Sequence, residues 1–182
     1  MLDQISLLES VAGRLESAGI PYMLTGSIAA SHYGRPRFTR DIDLVVELGP
    51  DDAGRIEGVL GHEFTMNTDG IRAAILRRGM FNVIHSSALI KIDFIIRKDS
   101  SYRVEEFQRR QRVRLGDGAE IWMTTAEDLI LSKLLWAKDS RSELQLTDVR
   151  SVLRIQEGAI DSVYLEDWAK RLTVADLLHE VR

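Results

Sequence analysis

Two apolar runs carry acid at positions where a β-strand would bury it, and this constrains the chain most. The first is Asp41-Ile42-Asp43-Leu44-Val45-Val46 and the second is Leu89-Ile90-Lys91-Ile92-Asp93-Phe94-Ile95-Ile96. β-Branched and aromatic residues dominate both runs, which predicts two short buried strands. Side chains at i and i+2 share one face of a strand, so Asp41 and Asp43 point the same way and Asp93 sits mid-strand. If the two strands are neighbours, three carboxylates converge. Three like charges in an apolar setting need compensation: either one protonates or a divalent cation binds. Hard oxygen ligands favour Mg²⁺ or Mn²⁺. A site of this kind can hold two metals about 4 Å apart, an arrangement suited to in-line phosphoryl or nucleotidyl transfer. By itself an Asp-x-Asp is an ordinary turn or cap. An aspartate between Ile92 and Phe94 is harder to explain as a solvated one.

Upstream, Gly26-Ser27 lies between a short expected strand (Pro21 to Thr25) and an expected helix (Ile28 to Tyr33). Ser27 can cap that helix, and Gly26 lets backbone approach a ligand closely. A helix N-terminus offers free N–H groups and partial positive charge, which suits a triphosphate. The loop that follows holds Arg35, Arg37 and Arg40, with Pro36 stopping any continuation of the helix. These arginines either fork onto phosphate oxygens or offset the aspartates. Of the three, Arg40, the last before the acidic strand, is assigned to nucleotide binding.

The remainder reads as support. With 182 residues, 20.6 kDa and 45% hydrophobic residues, the chain can form one well-packed unit. A core over 1–123 and a helical part over 124–182 are expected. No run approaches the ~20 apolar residues needed to span a bilayer, and the acidic start MLDQISLLES does not resemble a secretory signal. With 0 cysteines there is no disulfide or thiolate zinc site, and a cytoplasmic location is expected. A net charge of −4 argues against a large nonspecific nucleic-acid surface and leaves room for a local basic patch. Leu2 to Ala18 has helical apolar spacing, Asp51 or Asp52 opens another helix, and Ser86-Ser87 joins two strands as a hairpin. His85 reads as structural. Lys91 shares Asp93's face and either pairs with the acids or lies in solvent. The basic segment from Arg97 to Arg114 is either a solvated helix face followed by a strand or a phosphate contact for RNA. A turn at Gly116-Asp117-Gly118 closes a second hairpin, with Trp122 and Met123 in the core. Thr125 caps a helix on which Lys133 lies within a buried stripe. Asp148 falls on the next helix and comes near Lys133 if the two helices form a hairpin, where an ion pair joining the helices is the plain reading. Trp168 and Leu172 pack in the closing helices.

Gly26-Ser27, Asp41-x-Asp43 and Asp93 on a later strand together resemble the nucleotidyltransferase superfamily related to DNA polymerase beta. The chain looks most like the minimal bacterial group that includes AbiEii-like toxins. The likeness is firm through about Ile96 and looser over Lys133 to Asp148, with Ser27 standing where a second glycine is frequent. It implies an α/β (α+β) nucleotidyltransferase fold: a mixed β-sheet flanked by helices, with a C-terminal helical part. It further implies Mg²⁺ or Mn²⁺ on Asp41, Asp43 and Asp93, and a nucleoside triphosphate such as ATP on Gly26, Ser27, Arg40 and Lys133. Asp148 would be a positioning group or base. The implied acceptor is RNA (tRNA above all) or a protein hydroxyl, with an antitoxin protein as a possible partner. A small-molecule transferase of the antibiotic-modifying kind, and a nonenzymatic binding module on the same fold, are the alternatives.

Overall fold

The computed structural model describes residues 3–182. A seven-stranded mixed sheet is built from β1 (Tyr22–Thr25), β2 (Asp41–Val46), β3 (Phe64–Thr65), β4 (Met80–His85), β5 (Lys91–Ile96), β6 (Gln111–Arg114) and β7 (Glu120–Met123). The strand order is β3-β4-β5-β2-β1-β7-β6. β2 runs parallel to β5 and β1 parallel to β7; the other neighbours are antiparallel. The acidic strand and the hairpin strand that carries Asp93 are therefore adjacent, as the two apolar runs require.

Alternation along these strands separates core from site. Ile42, Leu44 and Val46 of β2 and Ile92, Phe94 and Ile96 of β5 are fully buried on one face. Asp41, Asp43, Lys91 and Asp93 occupy the other. That core face is covered partly by α1 (Gln4–Ser17), which buries Leu7, Leu8, Val11, Ala12 and Leu15, and by α3 (Ala53–Leu60) and α4 (Thr68–Leu76). Asp3 caps α1 by accepting from the Ser6 N–H at 2.8 Å. The helix so formed is a sheet-covering support. β3 has two residues, too short to leave an alternating pattern in the sequence.

α2 (Gly26–Tyr33) follows β1 without a linker, and α5 (Ser101–Gln108) leads into the β6–β7 hairpin. Of the two residues expected there, Met123 is fully buried, whereas Trp122 is partly covered and lies under the guanidinium groups of Arg110 and Arg112. The C-terminal helices are α6 (Ala126–Ser140), α7 (Glu143–Ile155), α8 (Ser162–Arg171) and α9 (Ala175–Val181). Thr125 caps α6, accepting from the Asp128 N–H at 3.2 Å. The fully buried Asp128 carboxylate accepts from Thr125 Oγ1, Arg109 Nε and Tyr164 Oη at 2.7, 3.1 and 2.7 Å. This network fixes the start of α6, so the position of Lys133 two turns later is well defined. Arg141, at φ +48°, turns the chain so that α7 folds back on α6. Among the described residues no helix is long and apolar enough to cross a membrane.

Candidate active site

Register alone assembles the acidic row. Across the open sheet face Thr25 pairs with Asp43, Asp43 with Asp93, and Asp93 with Asn82; one step down, Asp41 pairs with Lys91. Lys91 Nζ lies 2.8 Å from Asp93 Oδ2 and 3.7 Å from Asp41 Oδ2, which settles its partner as the acids. Its hydrogen bond to Asp93 raises the ammonium's pKa. Burial, and then the charge of Asp93, push the Asp43 carboxyl up from the ordinary carboxylate value. Asp93 is buried, and its Oδ1 has no hydrogen-bond partner among the described residues. As they stand, no three acidic, cysteine or histidine side chains among the described residues are grouped to hold a metal, and an ammonium lies between Asp41 and Asp93. The unpartnered buried Oδ1 and the purely oxygen donor set nevertheless fit a hard divalent cation in the ammonium's place.

The Gly26-Ser27 turn abuts this row. Gly26, at φ +66°, is the first residue of α2, and a Cβ there would come within 1.9 Å of Asp43 Oδ2. Only glycine lets the helix start this close to the carboxylate. The Ser27 N–H points to Asp43 Oδ2 at 3.5 Å. Ser27 is not the cap expected of it: Thr25 occupies the N-cap position without a side-chain bond, and Ser27 Oγ accepts from Arg37 Nη2 at 2.5 Å. Because α2 begins two residues early, on Gly26 instead of Ile28, the Ser27 hydroxyl is inside the helix and free to take another partner.

Of the three loop arginines, Arg37 enters the site. Its Nε and Nη2 fork onto the two oxygens of Asp148, each at 3.1 Å. Lys133 Nζ donates to Asp148 Oδ2 at 2.8 Å and to Gln145 Oε1 at 2.9 Å. Burial works against the Asp148 carboxylate, but the bonds from Arg37 and Lys133 outweigh it and hold its pKa below the usual range. Lys133 and Asp148 are 4% and 6% exposed, so this is an interior pair built across α6 and α7. Arg40 is exposed, its guanidinium 5.7 Å from the Phe38 ring centroid, and Arg35 reaches α7 instead.

A pocket of about 230 Å³ is lined by Gly26, Ser27, Asp41, Asp43, Lys133 and Gln145. It opens beside a second cavity of about 360 Å³, and the two share Thr25, Ile95, Ser132 and Trp136. Trp136 is 64% exposed and lies one turn beyond Lys133. Gln145 and Trp136 escaped sequence reasoning, which named Arg37 without setting it apart from Arg35 and Arg40. Spacing offers a signal for the two missed residues, since Trp136 is i+3 from Lys133 and Gln145 is i−3 from Asp148. The second cavity is bordered by Arg78, Arg97, Lys98 and Arg103, with Glu106 its single carboxylate. Arg103 donates to buried Glu106 at 2.7 Å. Elsewhere the basic segment is paired internally: Arg97 with Glu47 and Asp99, Arg109 with Asp128, Arg112 with Glu16, and Arg114 with Glu120.

No family model matches the sequence, and no curated protein matches it either. Solved structures do. An antigenic nucleotidyltransferase-like protein from Paracoccidioides brasiliensis aligns with a TM-score of 0.58 at 17% identity, over 96% of this chain and 90% of that one. ANT(2")-Ia in complex with adenylyl-2"-tobramycin gives 0.60 at 14% identity, over 93% and 97%. The lincomycin-bound lincosamide antibiotic adenylyltransferase LnuA gives 0.51 at 12%, over 85% and 98%. With its mixed sheet flanked by helices, the chain has the nucleotidyltransferase fold.

Proposed function

We propose that the protein is a metal-dependent nucleotidyltransferase of the polymerase-beta superfamily that moves a nucleoside monophosphate from a nucleoside triphosphate to a hydroxyl of RNA. The observation that carries this reading is the contact between the acidic row and the α2 N-terminus: Gly26 meets Asp43 too closely for any side chain. Carboxylates then face the same pocket as free N–H groups and the Lys133 ammonium. Asp41, Asp43 and Asp93 would hold Mg²⁺ or Mn²⁺, which supplies charge neutralisation at the phosphate oxygens. The Gly26 and Ser27 N–H groups and Lys133 bind the β- and γ-phosphates. Trp136 gives the nucleoside a face to stack on. Asp93 would hold the cation through its buried Oδ1 and so orient the acceptor hydroxyl, whose proton leaves to water. The hydroxyl oxygen bonds to the α-phosphorus as the bond to the bridging oxygen breaks, and pyrophosphate leaves along Lys133. Asp148, saturated by Arg37 and Lys133 and held ionised, positions both cations and is unsuited to act as a base.

The Lys133–Asp148 pair supports the toxin-type reading that the resemblance implies, with an antitoxin protein as partner. An aminated antibiotic acceptor is the alternative suggested by the tobramycin and lincomycin complexes of the structural neighbours. It needs an acidic acceptor pocket, whereas the cavity adjoining the site has four cationic side chains to one carboxylate. The test is incubation with Mg²⁺, each α-labelled nucleoside triphosphate, total RNA and cell protein, with Asp41→Asn and Asp93→Asn as controls. Label in RNA from the wild type alone is the expected result. Label in protein would correct the acceptor. Absence of both transfer and metal-dependent nucleotide binding would leave a nonenzymatic binding module.

A further inference from the structure

A cavity larger than the catalytic pocket lies on the other side of the Arg35–Arg37 loop's anchor helix. A cleft of about 660 Å³ runs along α7, and four arginines line it: Arg35, Arg150, Arg154 and Arg182. Glu157 is its only lining carboxylate. Arg150 has an exposed partner in Glu143 at 3.5 Å, and Arg182 pairs with Glu166. Arg35 and Arg154 have no carboxylate partner among the described residues. In a chain of net charge −4, unneutralised guanidinium groups around one concavity need an explanation.

The cleft is built, and it is tied to the catalytic face. Arg35 donates its backbone N–H to Ser151 Oγ at 2.7 Å, and Gln156 Nε2 donates to the Tyr33 carbonyl at 2.9 Å. Gly34 lies so close to Ser151 that a Cβ there would come within 2.9 Å of its hydroxyl oxygen. The loop is thus stapled to α7 at two points, which fixes where Arg35 stands. Two residues on, Arg37 forks onto Asp148, one helical turn before Ser151 on α7. One helix therefore presents Gln145 and Asp148 to the catalytic groups, and Arg150 and Arg154 to the cleft.

We propose that this cleft seats the phosphate backbone of the acceptor RNA, guiding the strand to the neighbouring site. The proposal rests on the nucleotidyl-transfer reading above and adds to it the surface that holds the acceptor. Arginine forks suit phosphate oxygens in two-pronged geometry, and unpaired ones need no existing ion pair to break first. The internally paired basic segment after Arg97 has far less free charge to offer, so the RNA surface lies on α7 instead.

The test compares the wild type with Arg35→Glu/Arg154→Glu and with Arg171→Glu, a surface control on α8 outside the cleft. Each is titrated with a fluorescein-labelled single-stranded RNA by anisotropy at several salt concentrations. Mg²⁺-ATP binding is measured in parallel by calorimetry, and circular dichroism verifies folding. The double variant is expected to lose at least tenfold in RNA affinity, with the log–log salt slope shallower by about 1.4, roughly 0.7 per lost phosphate contact. Arg171→Glu should bind RNA as the wild type does, and ATP binding should be equal in all three. A photoreactive 4-thiouridine RNA should crosslink to residues of α7. Unchanged RNA binding in the double variant, equal loss in Arg171→Glu, or no RNA binding by the wild type would each overturn the proposal. Competition of RNA from the cleft by free pyrophosphate at equal phosphate concentration would reassign it to a small phosphate ligand. Failure of ATP binding in the wild type would instead count against nucleotidyl transfer, whatever the cleft does.

Discussion

Lys91 and Asp93, two residues apart on β5, are joined by an ion pair of 2.8 Å in the middle of the acidic row. Lys91 also reaches Asp41 at 3.7 Å, so one ammonium compensates two of the three carboxylates that sequence reasoning left to protonation or a metal. A divalent cation has to compete with it. Lys91→Met is therefore expected to bind Mn²⁺ about tenfold tighter, equivalent to roughly 1.4 kcal/mol. Without metal the variant should melt at a lower temperature, because the carboxylates then repel uncompensated. Electron paramagnetic titration of free Mn²⁺ and a metal-free melt measure the two effects. Unchanged Mn²⁺ affinity would mean that Lys91 is a bystander.

Asp43 should respond to pH in the opposite sense from a typical surface carboxylate. Its folded pKa is raised by burial and by Asp93, so the protonated form is the one folding favours. The stability it contributes is complete below the ordinary carboxylate value of 3.8 and is lost as pH rises through the raised value. Asp43→Asn removes that loss. The variant is expected to melt higher than wild type at pH 7 without metal, with the gap closing near pH 3–4. Transfer activity should fall by about 10²-fold or more, the scale seen when one preorganised charge group is removed. Melting curves across pH on both proteins decide it; a lower melting temperature for Asp43→Asn at pH 7 contradicts the assignment.

Much of this site was legible in the sequence because strand and helix periods are short-range rules. Asp41, Asp43 and Asp93 share a face by the period of two, and Lys133 and Asp148 meet because a two-residue link folds α7 onto α6. What eluded the sequence depends on side-chain choice in space. Nothing local separates Arg37 from Arg40; Arg37 is drawn in because Asp148, 111 residues away, offers it both carboxylate oxygens. The Ser27 cap failed because the freedom of Gly26 starts α2 two residues early. The charge run after Arg97 stayed open between a solvated face and a phosphate contact because its partners, Glu16, Glu47 and Asp128, lie on distant segments.

Asp148 provides a stability test with a definite sign. It accepts from Arg37 and Lys133 while almost fully buried, and its pKa is lowered. Its contribution is therefore present above the ordinary carboxylate range and is lost as pH falls through the lowered value. Asp148→Asn leaves the Lys133 ammonium buried without a counter-charge and is expected to cost about 3–5 kcal/mol, typical of breaking a buried pair from one side. Lys133→Met on top of it should recover a large part of that loss. Urea unfolding of both single variants and the double variant measures the coupling. Additive losses would show that the pair does not stabilise the α6–α7 hairpin.

Gly26→Ala is the sharpest test of the contact between the turn and the acidic row. At φ +66° an alanine costs about 1–2 kcal/mol in the left-handed region before any clash is counted. Its methyl group would then overlap Asp43 Oδ2, 1.9 Å away, and must push the carboxylate out of the row. Stability and function should therefore fall together: a lower melting temperature, weaker Mg²⁺-ATP binding by calorimetry, and transfer reduced by more than the melting temperature alone would explain. Gly61→Ala supplies the control. It shares a positive φ of +70° but has open space where its Cβ would go, so it should show the backbone cost without the loss of nucleotide binding. If the two alanine variants lose nucleotide affinity equally, the close approach of Gly26 to Asp43 has no part in holding the triphosphate.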